Sequence, residues 1–445
     1  MLNSLKLLKK DIFTVFLGLS LVFMMIKPNY INIVIFVISL AYLIFLIKEN
    51  NLNDFNEDWF WFGIIIFIYL LTISLYSDFK TKSILKSFHF LLFLFFASAI
   101  KNYLLKDFEK KILFSKIIFY ITLFIVVDVI IQKYLGQNIF GQMPTSSNRL
   151  TGPFIGEPIP GSILSKFFIF SLFFINVINF KSINKFTLNI LFLTIFAFSI
   201  IITTERSAIV GFIFVLFFSY IFVKKFRLKL ITALILILVT SIFLYKTDKA
   251  VESKVLYTIQ SVGIDVRSLR NITKKDHNEK YYFAETVFDN PYGVLFITSI
   301  EIWKKNKLFG QGIRSYRYEC AKIDDEIIKK FAPNYYHKKC NTHPHNLYLE
   351  ILSETGLFGL ILFVYLFVYF LVKAIKNLKY VKDEKKRLFC IFSLFSFIYV
   401  IFPLKTSGSF FSSLEGGLNW MLIGIFLSSI KIIQKRNEKN YDRKF

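Results

Sequence analysis

The stretch C-N-T-H-P-H-N-L-Y-L-E-I-L-S-E-T-G-L-F-G, residues 340–359, sets His343 and His345 either side of Pro344, directly ahead of a long apolar run. The chain has five histidines, so two within three positions concentrate imidazole at one point. Imidazole titrates near neutrality and can take a proton from an attacking hydroxyl. Pro344 biases His343 toward extended backbone, so a helix is expected to begin at or after Asn346, with His345 and Asn346 at its mouth. Three readings stay open here: catalysis or substrate binding, a structural pair capping a helix at the interface, or a metal site. A metal would need further ligands; His277 and His337 lie nearby in sequence, but no zinc spacing is present.

Three further stretches carry candidate chemistry. In T-T-E-R-S-A-I-V-G, Arg206 offers a guanidinium suited to bidentate phosphate binding; an interfacial anchor or a pair with Glu205 is the alternative. In R-L-T-G-P-F-I-G-E-P-I-P-G-S-I-L, three prolines between Gly152 and Gly161 forbid a regular span. Irregular backbone near a membrane lines a cavity or sits among headgroups, and Arg149 and Glu157 are the charged members of this segment. In I-W-K-K-N-K-L-F-G-Q-G-I-R-S-Y-R-Y-E-C, Arg314 and Arg317 follow a glycine turn and are weaker phosphate candidates.

The elements that must position these residues are membrane helices. The chain has 445 residues, 55% of them hydrophobic and 19% aromatic, and a mean hydropathy of +0.54. That composition, in repeated long apolar runs, describes an all-α polytopic membrane protein. Twelve spans are expected, near 12–26, 30–47, 59–76, 84–100, 112–132, 162–179, 187–203, 208–223, 230–245, 352–372, 388–404 and 417–433. The net charge of +25 does not indicate nucleic acid, because most Lys and Arg sit in short segments between apolar runs. With Lys6, Lys9 and Lys10 inside, the basic segments 101–111, 180–186, 224–229 and 373–387 and the C-terminal tail all fall on the cytoplasmic side. The acidic segment 48–58 dissents, but acidic residues weigh little in that rule. The first run ends in Lys27–Pro28 without a small-residue cleavage site, so no cleavable signal is expected.

This topology divides the chain into 1–245 (nine spans), 246–345 (a periplasmic loop domain) and 346–445 (three spans and a basic tail). Within the loop, Ile297, Ile300, Trp303 and Leu308 among lysines suggest an amphipathic helix lying on the membrane face, stopped by Gly310–Gln311–Gly312. Cys320 and Cys340 share that oxidising compartment and are expected to be bridged, whereas Cys390 falls inside a span.

Together these stretches resemble the O-antigen ligase and polymerase superfamily, in outline over most of the chain. The likeness rests on the late large loop closing on H-P-H-N before an apolar helix bearing Glu354 and Gly356. L-F-G-Q-G-I-R-S-Y-R and T-T-E-R-S-A-I-V-G are similar to its glycine-turn and arginine motifs. The resemblance implies a GT-C-like bacterial inner-membrane glycosyltransferase, with its active site facing the periplasm and both termini cytoplasmic. It implies a donor glycan on undecaprenyl diphosphate, an acceptor that is lipid A–core or another glycan, and no cofactor or metal. His345 would be the base, with His343 as a stand-in, and Arg206 would hold the donor diphosphate. Arg314, Arg317, Asn346 and Glu157 complete the expected substrate-binding set. Family members often carry one more basic residue just before the tryptophan-bearing helix. G-V-L-F-I-T-S-I-E-I-W has none, and Arg314 is the expected replacement.

A ligase is the favoured reading, a polymerase of the same superfamily the second. A transporter of lipid-linked glycan is the competing class. Transporters commonly show two similar halves and mid-membrane charges; this chain is lopsided, and Asp128 is its clearest intramembrane charge.

Overall fold

The computed structural model describes residues 11–49, 55–145, 149–178, 184–260 and 288–441. Lys6, Lys9, Lys10, His277 and residues 261–287 of the expected loop domain lie outside the described residues. Among the described residues every regular element is helical, as hydrocarbon demands of segments that must satisfy their own backbone groups. The main helices are α1 (Ile12–Gly18), α2 (Ser20–Ile26), α3 (Ile31–Lys48), α4 (Asp58–Tyr76), α5 (Lys80–Ala99), α6 (Phe108–Leu135), α7 (Pro160–Val177) and α8 (Lys185–Ile202). They continue with α9 (Arg206–Phe222), α10 (Arg227–Thr247), α11 (Lys249–Gln260), α12 (Pro291–Lys305), α13 (Leu347–Leu378), α14 (Glu384–Ile401) and α15 (Leu414–Tyr441).

Eight of the twelve expected runs form helices long and apolar enough to cross a membrane. The other four are helical but fall short of that standard. The run 12–26 is two seven-residue helices meeting at Leu19. The helix α9 and the apolar part of α15 are shorter, and α14 opens with four charged residues, Glu384 to Arg387. At the centre stands α7, buried along nearly its whole length and packed on α6, α8, α9 and α14. Its N-terminus, Pro160–Gly161, ends the irregular segment that carries Arg149.

The helix α13 is interrupted, and the interruption positions the site. Gly356 has φ 67° and ψ −172°, backbone essentially reserved for glycine. The turn at 307–312 docks into this break by main chain alone. Leu357 N–H donates to Lys307 O (2.9 Å), Phe358 N–H to Leu308 O (3.2 Å) and Gly312 N–H to Glu354 O (2.8 Å). A Cβ on Gly356 would collide with the Leu308 carbonyl, and one on Gly310 with the Glu354 backbone. Thus L-F-G-Q-G and S-E-T-G are two halves of one joint.

The helix α12 departs from expectation. It is capped by Asn290, whose side chain accepts from Tyr292 and Gly293 N–H, and it ends at Lys305, ahead of the glycine turn. Of the face expected to be apolar, Ile297 is buried, whereas Ile300 and Trp303 are half-buried. Val294, Leu295, Ile297 and Ile302 are buried with Tyr316, Cys320, Ile323, Ile328 and Ala332 in a small core of their own. Burial of each such aliphatic side chain contributes about 1.5–3 kcal/mol. Leu308 stays exposed.

Cys320 and Cys340, twenty residues apart, form a disulfide with a Cα–Cα distance of 5.2 Å. It fastens this small core to the chain just ahead of the histidines. Reduction, or paired Cys320→Ser and Cys340→Ser substitution, is expected to cost about 2–4 kcal/mol and lower the thermal midpoint by several degrees. Unfolding scans with and without reductant measure it.

Candidate active site

The histidine stretch is held from below by the loop 402–413 between α14 and α15. Asn346 caps α13: its Oδ1 accepts from Tyr348 and Leu349 N–H (3.0 and 3.1 Å), and its Nδ2 donates to Pro403 O (2.7 Å). Its side chain is therefore committed to the fold. The Tyr348 hydroxyl donates to Ile401 O (2.6 Å). Glu350, fully buried, accepts from Ser409 Oγ and from Phe410 N–H (2.8 Å). One turn on, Glu354 accepts from Arg314 N–H (2.7 Å) and Tyr316 N–H (3.4 Å). Two carboxylates four residues apart thus staple both neighbouring loops to the same helix face.

The two histidines have different surroundings. His343 is buried; its Nε2–H donates to Ser407 O (3.1 Å) and its Nδ1 accepts from the Thr342 hydroxyl (2.9 Å). Burial, reinforced by His345, pushes its imidazole down to about 3, so it stays neutral with both nitrogens occupied. His345 adopts left-handed backbone (φ 56°), and its carbonyl accepts from Ser407 N–H (2.9 Å). Its ring lies 4.1 Å from that of His343, centroid to centroid. It is only partly buried, and its Nε2 faces the exposed amide of Asn341 at 3.2 Å. Burial lowers its imidazole too, so the lone pair is available at neutral pH. His345 is therefore expected to gain its proton only in acid, and an NMR titration of its imidazole measures this.

Tyr292, in the first turn of α12, joins His345 to Arg206. The tyrosine ring meets His345 edge-on at 5.6 Å and lies 5.3 Å from the Arg206 guanidinium carbon. Arg206 opens α9, after a turn in which Glu205 faces away from it. The Glu205 carboxylate accepts Gly161 N–H (2.9 Å) and Ser162 N–H (3.1 Å) at the N-terminus of α7. Burial pushes Glu205 up to about 7, against the opposing pull of Arg149 and those N–H donors.

Cations gather around this point. Burial, then Arg206, then Arg149, hold the Lys254 ammonium on α11 below its ordinary range, so the three share one electrostatic field. Arg149 donates from Nη2 to Pro158 O (3.1 Å), while its Nε is buried without a protein acceptor among the described residues. Arg317 Nη2 donates to Thr342 O (3.3 Å), beside His343, and its Nε is a second such donor. Arg314, in left-handed backbone (φ 67°), is half-buried; burial and then Arg317 lower its guanidinium, and it acts on His343. Buried donors that lack acceptors next to several cations suit a polyanionic ligand.

The expected residues His343, His345, Arg314 and Arg317 thus come together, and Tyr292 connects Arg206 to them. Glu157 is exposed, and the carboxylate that reaches the interior is Glu205. Tyr292, Asn341, Lys254 and Ser407 escaped the sequence reading. The Asn290–Pro291 pair, a cap followed by proline at the first helical position, was the available sign that Tyr292 would sit in a first turn. Among the described residues, no group of three or more His, Cys, Asp or Glu could hold a metal ion.

Residues 190–364 match the family model described as O-antigen ligase. Over those 175 of its 445 residues the chain is similar to the O-antigen ligase superfamily. The matched span carries Arg206, Tyr292, Arg314, Arg317, both histidines and the Glu354–Gly356 break, whereas Arg149 and Ser407 reach the site from outside it. No curated protein matches the chain. The superfamily consists of glycosyltransferase-like enzymes that act on lipid-linked glycans and acceptors, and the apolar helices agree with a membrane protein.

Proposed function

We propose that this chain is an O-antigen ligase-type glycosyltransferase that moves a glycan from undecaprenyl diphosphate to an acceptor hydroxyl, on lipid A–core, at the periplasmic face of the inner membrane. The observation that carries this is Tyr292, whose ring touches both the His345 imidazole and the Arg206 guanidinium. A base and a phosphate-binding cation at one aromatic wall are what such a transfer needs. Nε2 of His345 takes the acceptor's hydroxyl proton as the oxygen forms its bond to the anomeric carbon. The bond from that carbon to the diphosphate oxygen breaks, and undecaprenyl diphosphate leaves with the electron pair. Arg206, with Lys254 and Arg149 in the same field, offsets the charge growing on the leaving group. Arg314, beside His343, is the expected replacement for the basic group absent from the stretch before the tryptophan.

Asp128 is the residue that separates this reading from a transporter. Its Oδ1 accepts Ile139 N–H (2.8 Å), which ties down the turn after α6, while its Oδ2 is buried without a partner among the described residues; a transporter needs Asp128, and Asp128→Asn is expected to keep transfer. The test is purified protein in liposomes with undecaprenyl-diphosphate glycan, with and without lipid A–core. Product on lipid A–core supports a ligase; longer lipid-linked glycan without it means a polymerase. Movement of donor across the bilayer without transfer would revive the transporter. In the same assay Arg206→Ala is expected to weaken donor binding by about 10–150-fold, the worth of a charge-assisted contact, and Arg206→Lys by less.

A further inference from the structure

A cavity of about 770 Å³ lies at the far end of the bundle from the histidines. Three helices fix that separation. At the site end are Arg206 of α9, Ile401 of α14 and Gly161 of α7; at the cavity end are Phe222, Leu388 with Ile391, and Val177 of the same helices. A helix of this length spans roughly 25 Å.

One half of the cavity is basic and the other apolar. Lys224, Lys225, Lys229, Lys382, Lys385 and Arg387 line it against a single carboxylate, Glu384, which pairs with Lys225 at 2.5 Å across the opening. The first turn of α14 borders the same space through Glu384, Lys385 and Arg387, and Asp383 caps it by accepting Lys386 N–H (2.8 Å). Behind the cations stand Val177, Phe222, Leu388 and Ile391. Phe222 is 56% exposed and stacks on Phe218 at 6.1 Å, starting an aromatic strip that runs along α9.

A solvated basic edge would need neither the concavity nor the apolar wall. We propose that this cavity binds the headgroup of an anionic phospholipid: its phosphate sits among the lysines and Arg387, and its acyl chains leave along Phe222. This site is separate from the glycosyl-transfer site and does not depend on how that site works.

The test uses delipidated full-length protein and titrates phosphatidylglycerol and cardiolipin against phosphatidylcholine, reading thermal stabilisation and lipids retained in native mass spectra. The anionic lipids are expected to bind more tightly than phosphatidylcholine. Lys224→Gln with Arg387→Gln should weaken them roughly 30-fold, at about tenfold or less for each cation near a membrane surface. Lys376→Gln with Lys379→Gln removes the same charge from exposed positions outside the cavity and should change little. Equal loss in both pairs, or no preference for anionic lipid in the wild-type protein, would overturn the proposal. So would equal protection by inorganic diphosphate alone, which would make the site one for a soluble anion. The wild-type comparison needs no variant to fold.

Discussion

His345→Ala is expected to lower the rate of glycan transfer by about 10²–10⁴-fold while leaving the thermal midpoint close to that of the wild-type protein. The two histidine rings are 4.1 Å apart, centroid to centroid, yet their hydrogen bonds differ. His345 presents Nε2 toward an exposed amide that an incoming acceptor can displace. Its contribution to the fold runs mostly through its backbone, since its carbonyl receives Ser407 N–H. His343 has the reverse balance. Its ring bonds Ser407 O on one side and Thr342 on the other, and truncation would leave that carbonyl buried with one partner fewer. His343→Ala should therefore lower the midpoint, at about 1–3 kcal/mol for the unmet group, and reduce transfer only through loosening of the loop. Unfolding scans beside initial rates separate the pair. A stable but inactive His343→Ala beside an active His345→Ala would reverse the assignment.

Gly356→Ala is expected to damage both stability and transfer severely. Its backbone conformation costs a non-glycine residue about 1–3 kcal/mol, and the new methyl would also strike the Leu308 carbonyl, which is fixed by a main-chain bond from Phe358. Neither partner is a side chain that can rotate away. Relief requires the 307–312 turn to back off α13, which releases Arg314 and Tyr316 from Glu354. Loss of stability and loss of transfer should therefore appear together. Gly136→Ala supplies the control: it also has positive φ, but a Cβ there meets nothing within 4 Å. It should show only the conformational cost, read as a smaller shift in midpoint with activity retained.

The apolar runs were legible as helices because hydrocarbon leaves the backbone no other choice for such segments. The histidine stretch, Arg206 and the cysteines were legible because rare residue types in short spacing stand out against a greasy background. What escaped depended on contacts distant in sequence. Nothing in D-N-P-Y-G tells that Tyr292 will face Arg206 and His345; that follows from α12 docking on α13. Glu157 lies inside the Pro/Gly segment and Glu205 some forty residues beyond it, and only the N–H groups at the start of α7 decide that Glu205 turns inward. The pattern Ile297, Ile300, Trp303 shows that one face of α12 must be covered. It does not show that Ile297 joins the small core that holds Tyr316 and Ile328. Ser407 is an ordinary loop serine until the chain folds back beneath His345.

The most direct measurement is a single-turnover experiment on reconstituted protein preloaded with labelled undecaprenyl-diphosphate glycan and then given lipid A–core. Bound donor and transferred glycan are read from the same sample for the wild-type protein, His345→Ala and Arg206→Ala. The proposed roles predict that His345→Ala retains donor as the wild-type protein does but transfers it at least about a hundredfold more slowly. They predict that Arg206→Ala retains little donor at all. Transfer at the wild-type rate by His345→Ala, or full donor retention by Arg206→Ala, would contradict them.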